Sequence, residues 1–100
     1  MITASDNYFI PGAPDIILKK PNVVTWVTMR DDDYHVAHLR LIEFGGTALL
    51  WQTEKTFTTA ELTAFTASGA NDVEKYYNLV EQAVADWLGD ANPTVTFTIT

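Results

Sequence analysis

The residues of this chain whose types and spacing could do chemistry begin with a run of aspartates. Asp31, Asp32 and Asp33 are consecutive carboxylates, and such groups bind Ca²⁺ or Mg²⁺ when their oxygens converge. The spacing lacks the glycine and the distal glutamate of an EF-hand loop. Side chains of consecutive turn residues diverge, and aspartate often bonds nearby backbone amides in turns. We therefore expect a solvated turn that is open to a protein partner, and no metal ion.

A histidine pair follows the aspartates. His35 and His38 have the spacing that puts two side chains on one face of a helix. The segment around them reads as a strand, in which an odd spacing places the two rings on opposite faces of the sheet. A shared metal ion is therefore not expected. We expect His38 to lie beside Thr53 of a neighbouring strand, as an ordinary sheet histidine.

Groups for nucleophilic or phosphate chemistry are not found in a recognisable setting. The chain has no cysteine, which removes thiolate catalysis, disulfides and cysteine-based zinc sites. Ser5 and Ser68 lie in neither a nucleophile elbow nor a Ser-x-x-Lys motif. Gly45–Gly46 lacks the lysine and the helix of a phosphate-binding loop. We expect no enzyme activity, no catalytic residue, no cofactor and no small-molecule ligand.

The elements that must position these residues form one α+β domain over residues 1–100. Its predicted core is an antiparallel β-meander of about four to five strands, followed by one long amphipathic helix on one face and a C-terminal β-strand. Gly45–Gly46 is a hairpin signal, because glycine accepts the positive φ of tight hairpin turns. Residues 1–22 are expected to form an irregular N-terminal arm. The predicted strands, rich in β-branched and aromatic residues, are 23–30, 34–44, 47–57 and 94–100.

The long helix is predicted over residues 71–89, with both of its ends marked. Asn71 suits the N-cap position, and Glu74 lies three residues later, as in a capping box. Gly89 suits the left-handed conformation with which helices commonly end. Apolar residues recur at three- and four-residue steps, which is typical of a helix packed on a sheet through one face. They are Val73, Tyr76, Tyr77, Val80, Ala83, Val84, Trp87 and Leu88.

Two-residue turns would give the predicted sheet two apolar faces. A turn at Gly45–Gly46 pairs Arg40 with Trp51, where the guanidinium can stack on the indole. Trp51 and Phe57 then share one face, and Leu39 lies on the other. Because the helix covers about one face, the second face needs another cover.

The possible covers of the second face are the N-terminal arm, a short helix, or another chain. The short helix is predicted at 59–65, with Thr58 or Thr59 as its cap and Glu61 in its first turn. Another chain would make Trp51 and Phe57 anchors of an interface.

The charge of the chain limits its partners. The formal net charge is −7, which disfavours direct nucleic-acid binding because phosphate contacts need clustered Lys and Arg. No apolar run approaches the roughly 20 residues of a membrane helix, and no signal peptide is visible. We expect no membrane association, and a location in the cytoplasm or in a virion assembled there.

These observations predict a non-enzymatic protein–protein interaction or assembly subunit, with a small viral or phage structural component as one form of it. The expected partner is another protein or a second copy of the chain. The alternative is an acidic inhibitor that blocks a basic or nucleic-acid-binding site on a target protein. The candidate interaction residues are Asp31, Asp32, Asp33, Arg40, Trp51 and Phe57.

Overall fold

The fold is α+β, as the sequence predicts. A computed structural model describes residues 1–18, 22–29, 34–42 and 46–100, with only the backbone described for 13–18 and 22–29. In chain order its elements are β1 (Ile2–Ala4), β2 (Tyr8–Ile10), β3 (Ala13–Leu18), β4 (Asn22–Met29), β5 (Tyr34–Ile42), β6 (Leu49–Thr58), α1 (Thr59–Leu62), α2 (Asp72–Ala91) and β7 (Phe97–Ile99).

The strands form two antiparallel sheets. The larger sheet has the order β6-β5-β4-β1-β7, and the smaller one pairs β2 with β3. Strands β4, β5 and β6 are the predicted meander. The C-terminal strand joins this meander only through β1, which pairs with β4 on one side and with β7 on the other.

The prediction that residues 1–22 form an irregular arm is wrong, because this segment contains the strands β1, β2 and β3. Ile2 is fully buried at the junction of β4 and β7. Strands β2 and β3 meet at Pro11–Gly12, where Gly12 has φ 92°, the conformation that glycine supplies after proline in a type II turn. Three-residue strands are too short to show the alternation by which strands are recognised in sequence, so β1 and β2 left no pattern to read.

The register between β5 and β6 differs from the prediction by one residue over most of its length. Ile42 pairs with Leu49 as expected, but an irregularity after Leu41 shifts the remaining pairs. Arg40 therefore pairs with Gln52 and not with Trp51. The predicted stacking of Arg40 on Trp51 is wrong, because a one-residue slip moves a side chain to the other face of the sheet.

The same register shift places Trp51 and Phe57, the predicted interface anchors, on the sheet face that α2 covers. Cross-strand partners share a face, and Trp51 pairs with Leu41, and Phe57 with His35. Phe57 and Leu41 are buried in the main core and Trp51 packs against it. The prediction that Trp51 and Phe57 belong to a second apolar face is therefore wrong. On the opposite side of β6, Gln52, Glu54 and Thr56 are exposed and polar.

The core lies between the sheet and α2, as predicted. Val80, Val84 and Leu88 of the helix are fully buried, and Trp87 is half-buried against the same cluster. Leu62 of α1 joins this cluster from the same side. Strand β2 also packs there, through Tyr8 and Ile10.

The ends of α2 are partly as predicted. The Asn71 side chain accepts the Glu74 N–H at 2.9 Å, so Asn71 is the N-cap. Gly89 does not end the helix, which continues to Ala91 and is capped by Asn92. Val73 and Tyr77 are exposed, so the first turns extend beyond the sheet.

Helix α1 begins as the sequence indicates. Thr58 is its N-cap, and its side chain and that of Glu61 each accept the other residue's backbone N–H. Hydrogen bonds from Thr58 to the Glu61 carboxylate lower the pKa of Glu61, and the bond from the Thr58 backbone N–H contributes most. Within the described ranges, no helix is long and apolar enough to cross a membrane.

Candidate functional site

The candidate interaction residues named from the sequence do not form one site. Asp31, Asp32 and Asp33 lie outside the described residues. Arg40 is exposed on the face of β5 that points away from α2. Because Trp51 and Phe57 pack on the other face of the sheet, the structure separates them from Arg40.

The two histidines lie on opposite faces of β5, as predicted. His38 pairs with Glu54, not with Thr53, and its Nδ1 lies 3.2 Å from Glu54 Oε1. His35 faces the core and is buried. Among the residues described, no three His, Asp or Glu side chains converge as metal ligands would.

His35 is the centre of a polar cluster that the sequence did not reveal. Its Nδ1 lies 2.5 Å from Tyr76 Oη, and its Nε2 lies 2.9 Å from Thr59 Oγ1. Each ring nitrogen therefore has a hydrogen-bond partner, and the tautomer of the ring decides which nitrogen donates and which accepts. Burial, and to a smaller degree Tyr77, raises the pKa of Tyr76. The cluster joins β5, α1 and α2 beside a cavity of about 250 Å³ that Leu62 also lines.

An observed cation–π contact takes the place of the predicted one. Lys55 Nζ lies 5.4 Å from the centre of the Phe57 ring and 5.6 Å from that of Trp87. The Lys55 ammonium group therefore lies over the junction between β6 and α2, and this cation–π contact stabilises the packing of the helix on the sheet.

The outer edge of β7 can be assigned from the bonds of this segment to the N-terminal strand. Thr100 N–H donates to Met1 O at 2.8 Å, and Ser5 N–H donates to Thr96 O at 2.9 Å. Alternate residues of an antiparallel strand bond to the same neighbour. The residues between them point their N–H and C=O groups away from β1, where the described sheet ends. These residues are Phe97 and Ile99.

A groove lies between this edge and α2. It has a volume of about 420 Å³. Phe97 is half-buried, and its ring meets Tyr8 edge-on at 4.9 Å, whereas Ile99 is 41% exposed. The residues that line the groove include Ala85, Asp86, Gly89 and Asp90 of α2 and Phe97 and Ile99 of β7.

Asp86 and Asp90 form an electrostatically unfavourable arrangement beside the groove. They are four residues apart on one helix, a spacing at which like charges repel. Asp90 also lies in the last turn, where the negative end of the helix dipole disfavours an anion, and that turn has no basic residue. Neither carboxylate belongs to an ion pair of the described chain. Lys55 lines an adjoining recess with both of them.

Comparison of the chain with protein-family models, with curated proteins and with solved structures gives no match. The site must therefore be interpreted from its own geometry. That geometry offers a strand edge with outward backbone groups, a groove beside it that has both apolar and acidic lining residues, and two carboxylates that have no ion-pair partner in the described chain.

Proposed function

We propose that this chain is a non-enzymatic protein-interaction or assembly subunit that takes up an extended segment of a partner protein along β7. The observation that carries the proposal is the outward orientation of the backbone groups of Phe97 and Ile99 beside a groove of about 420 Å³. An added strand would complete the hydrogen bonds of this edge and place alternate side chains in the groove.

The composition of the two sheet edges favours β7 over β6 as the docking edge. Proteins protect exposed strand edges with charged side chains, especially lysine, and with proline. Strand β6 carries Glu54 and Lys55. Residues 94–100 contain neither a charged residue nor a proline, so β7 lacks this protection. Such an edge is expected where pairing with another chain is the function.

The surroundings of His35 support binding rather than catalysis. Tyr76 and Thr59 engage its two ring nitrogens, and all three side chains connect elements of the fold. The proposal includes the setting expected from the sequence, in which a small viral or phage component is assembled in the cytoplasm and joins its neighbours by strand addition.

Amide hydrogen exchange of the protein with its partner tests the proposal. The partner would first be identified by placing a crosslinking group at position 99 and exposing the protein to extracts of the producing cell. Binding should then slow exchange at the Phe97 and Ile99 amides, which point outward, and change it little at Thr98, which β1 already protects.

A proline substitution supplies the matched variant. Ile99→Pro removes an outward N–H and leaves the bonds to β1 in place, so the fold should persist while partner binding is lost. Unchanged binding of Ile99→Pro, together with unchanged exchange at Phe97, would contradict the proposal.

The alternative, an acidic inhibitor of a basic target, is favoured by the carboxylates Asp86 and Asp90 and by the net charge of −7. Competition distinguishes the two functions. An inhibitor would displace nucleic acid from its target, whereas an assembly subunit would leave it bound. Asp31, Asp32 and Asp33 belong to the inhibitor hypothesis, and replacing all three with Asn should weaken that complex, with rising salt having the same effect.

A further inference from the structure

We infer that the segment bound along β7 is basic, with aliphatic residues that enter the groove between α2 and β7 and with lysine or arginine residues that neutralise Asp86 and Asp90. This inference rests on the proposed function and names the chemistry of its partner.

The extended form of the ligand follows from the edge. Phe97 and Ile99 are alternate residues of one strand, so their outward groups repeat at about 6.6 Å along the edge. Only a strand-like backbone presents complementary groups at that interval. Alternate side chains of the ligand then face α2, on the side where Phe97 and Ile99 line the groove.

The aliphatic character of the inward side chains follows from the groove floor. Gly89 has no side chain, and a Cβ added there would lie 3.9 Å from Phe97 Cδ2. Ala85 lies one turn earlier on the same helix. The gap beside the Phe97 ring is therefore about one methyl group wide at Gly89, and a methyl group of a valine or isoleucine can fill it, which removes apolar surface from water.

The positive charge follows from Asp86 and Asp90. The i, i+4 repulsion disfavours both carboxylates and the helix dipole disfavours Asp90, so a cation bound nearby would relieve an unfavourable interaction. Lys55 is the nearby cation, but its ammonium group lies over Phe57 and Trp87.

The same charges argue against a second copy as the occupant. Each copy has a net charge of −7, and residues 94–100 contain no basic residue. Pairing of two β7 edges would bring two acidic grooves together without a neutralising charge. A different, basic chain is therefore the occupant that fits this surface.

The test uses two synthetic peptides and the intact protein. The first peptide is Lys-Thr-Val-Thr-Val-Thr-Lys, whose lysine and valine side chains share one face of a strand, and the second has Glu at both Lys positions. Fluorescence anisotropy at low salt should show that the lysine peptide binds at least about tenfold more tightly, which corresponds to about 1.4 kcal/mol. The preference should shrink as salt is added, because exposed charges are screened.

Two double variants with equal charge changes locate the effect. Asp86→Asn with Asp90→Asn should reduce the preference to about threefold or less. Asp72→Asn with Glu74→Gln, at the other end of the same helix, should leave the preference unchanged. Ile99→Pro should abolish binding of the lysine peptide.

Each other outcome overturns the inference in a distinguishable way. Equal binding of both peptides that Ile99→Pro abolishes would leave the docking edge in place and reject its basic ligand. Binding that survives Ile99→Pro would place the peptide elsewhere. A dimer that Ile99→Pro converts to a monomer would make a second copy the occupant. If neither peptide binds, the inference fails, and the exchange experiment with the natural partner decides the proposed function separately.

Discussion

The Asn92 side chain forms hydrogen bonds that join distant parts of the fold. Its Oδ1 accepts the Phe9 N–H at 3.2 Å, and its Nδ2 donates to Phe9 O at 3.0 Å and to Leu88 O at 2.9 Å. The side chain is buried. It therefore caps α2 and fixes β2 against it, replacing the role that the sequence suggested for Gly89.

Asn92→Asp should destabilise the protein by about 2–4 kcal/mol, because a buried carboxylate would face two carbonyl oxygens in place of an amide donor. The free energy of unfolding in urea measures this loss. Asn71→Asp is the matched control at the other end of α2. It should be nearly neutral, because aspartate caps a helix N-terminus as well as asparagine does. Equal effects at both positions would contradict the assignment.

Tyr8 gives a prediction about alkaline pH. Burial raises the pKa of Tyr8 above its ordinary value. Above a pH of about 10 the unfolded chain loses this proton while the native chain retains it, so the free energy of unfolding falls as pH rises. The stabilisation is complete below that pH.

Tyr8→Phe should reduce the alkaline loss of stability by up to about 1.4 kcal/mol per pH unit. Urea unfolding across alkaline pH measures the slope. A slope that Tyr8→Phe does not reduce would show that Tyr8 ionises equally in the native state.

Residue roles that depend on near neighbours in the sequence could be predicted. Thr58 and Asn71 are caps that bond three residues ahead; the sequence indicates Asn71 directly and Thr58 as one of two candidates. Asn92 was not identified from the sequence, because its partner Phe9 is 83 positions away. The His35 cluster was missed for the same reason, since Tyr76 lies on a distant helix.

At the scale of elements, α2 combines a favourable N-terminus with an unfavourable C-terminus. Asp72 and Glu74 lie in its first turn, where negative charge complements the helix dipole, and its last turn has no basic residue. The ends of the helix therefore differ in purpose. The N-terminal end stabilises the helix, whereas the C-terminal end holds two carboxylates beside the groove in positions that reduce the stability of the helix.

Asp90→Asn should therefore stabilise the protein by about 0.3–1 kcal/mol, and Asp72→Asn should destabilise it by a similar amount. Thermal unfolding at low salt measures both changes, and high salt should reduce both. A loss of stability in Asp90→Asn would mean that this carboxylate already has a favourable partner, and would weaken the argument for a cationic ligand.

The elements themselves were largely predictable, and their register was not. Periodicity identifies α2 and the β4–β5–β6 meander, because each pattern extends over many residues. Register depends on single residues in turns and bulges. One irregularity after Leu41 was enough to reverse the predicted positions of Trp51 and Phe57, and with them the predicted docking face.

For the whole molecule, the distribution of charge predicts a monomer. Light scattering of the isolated protein at low salt should give the mass of one chain, 11.1 kDa, because two acidic grooves repel. Addition of the lysine peptide should leave that state monomeric apart from the bound peptide. A larger species at low salt would show that the protein associates with itself despite its charge.

The position of β1 also determines the order in which the fold can be completed. Ile2 pairs with Val23 and with Ile99, so β1 cannot receive its second neighbour until residues 97–99 have been synthesised. Contacts between such distant positions form slowly, because a long loop must close before they stabilise the chain. During translation the meander and α2 can assemble first, and the docking edge, which exists only once β7 is in place, appears after them.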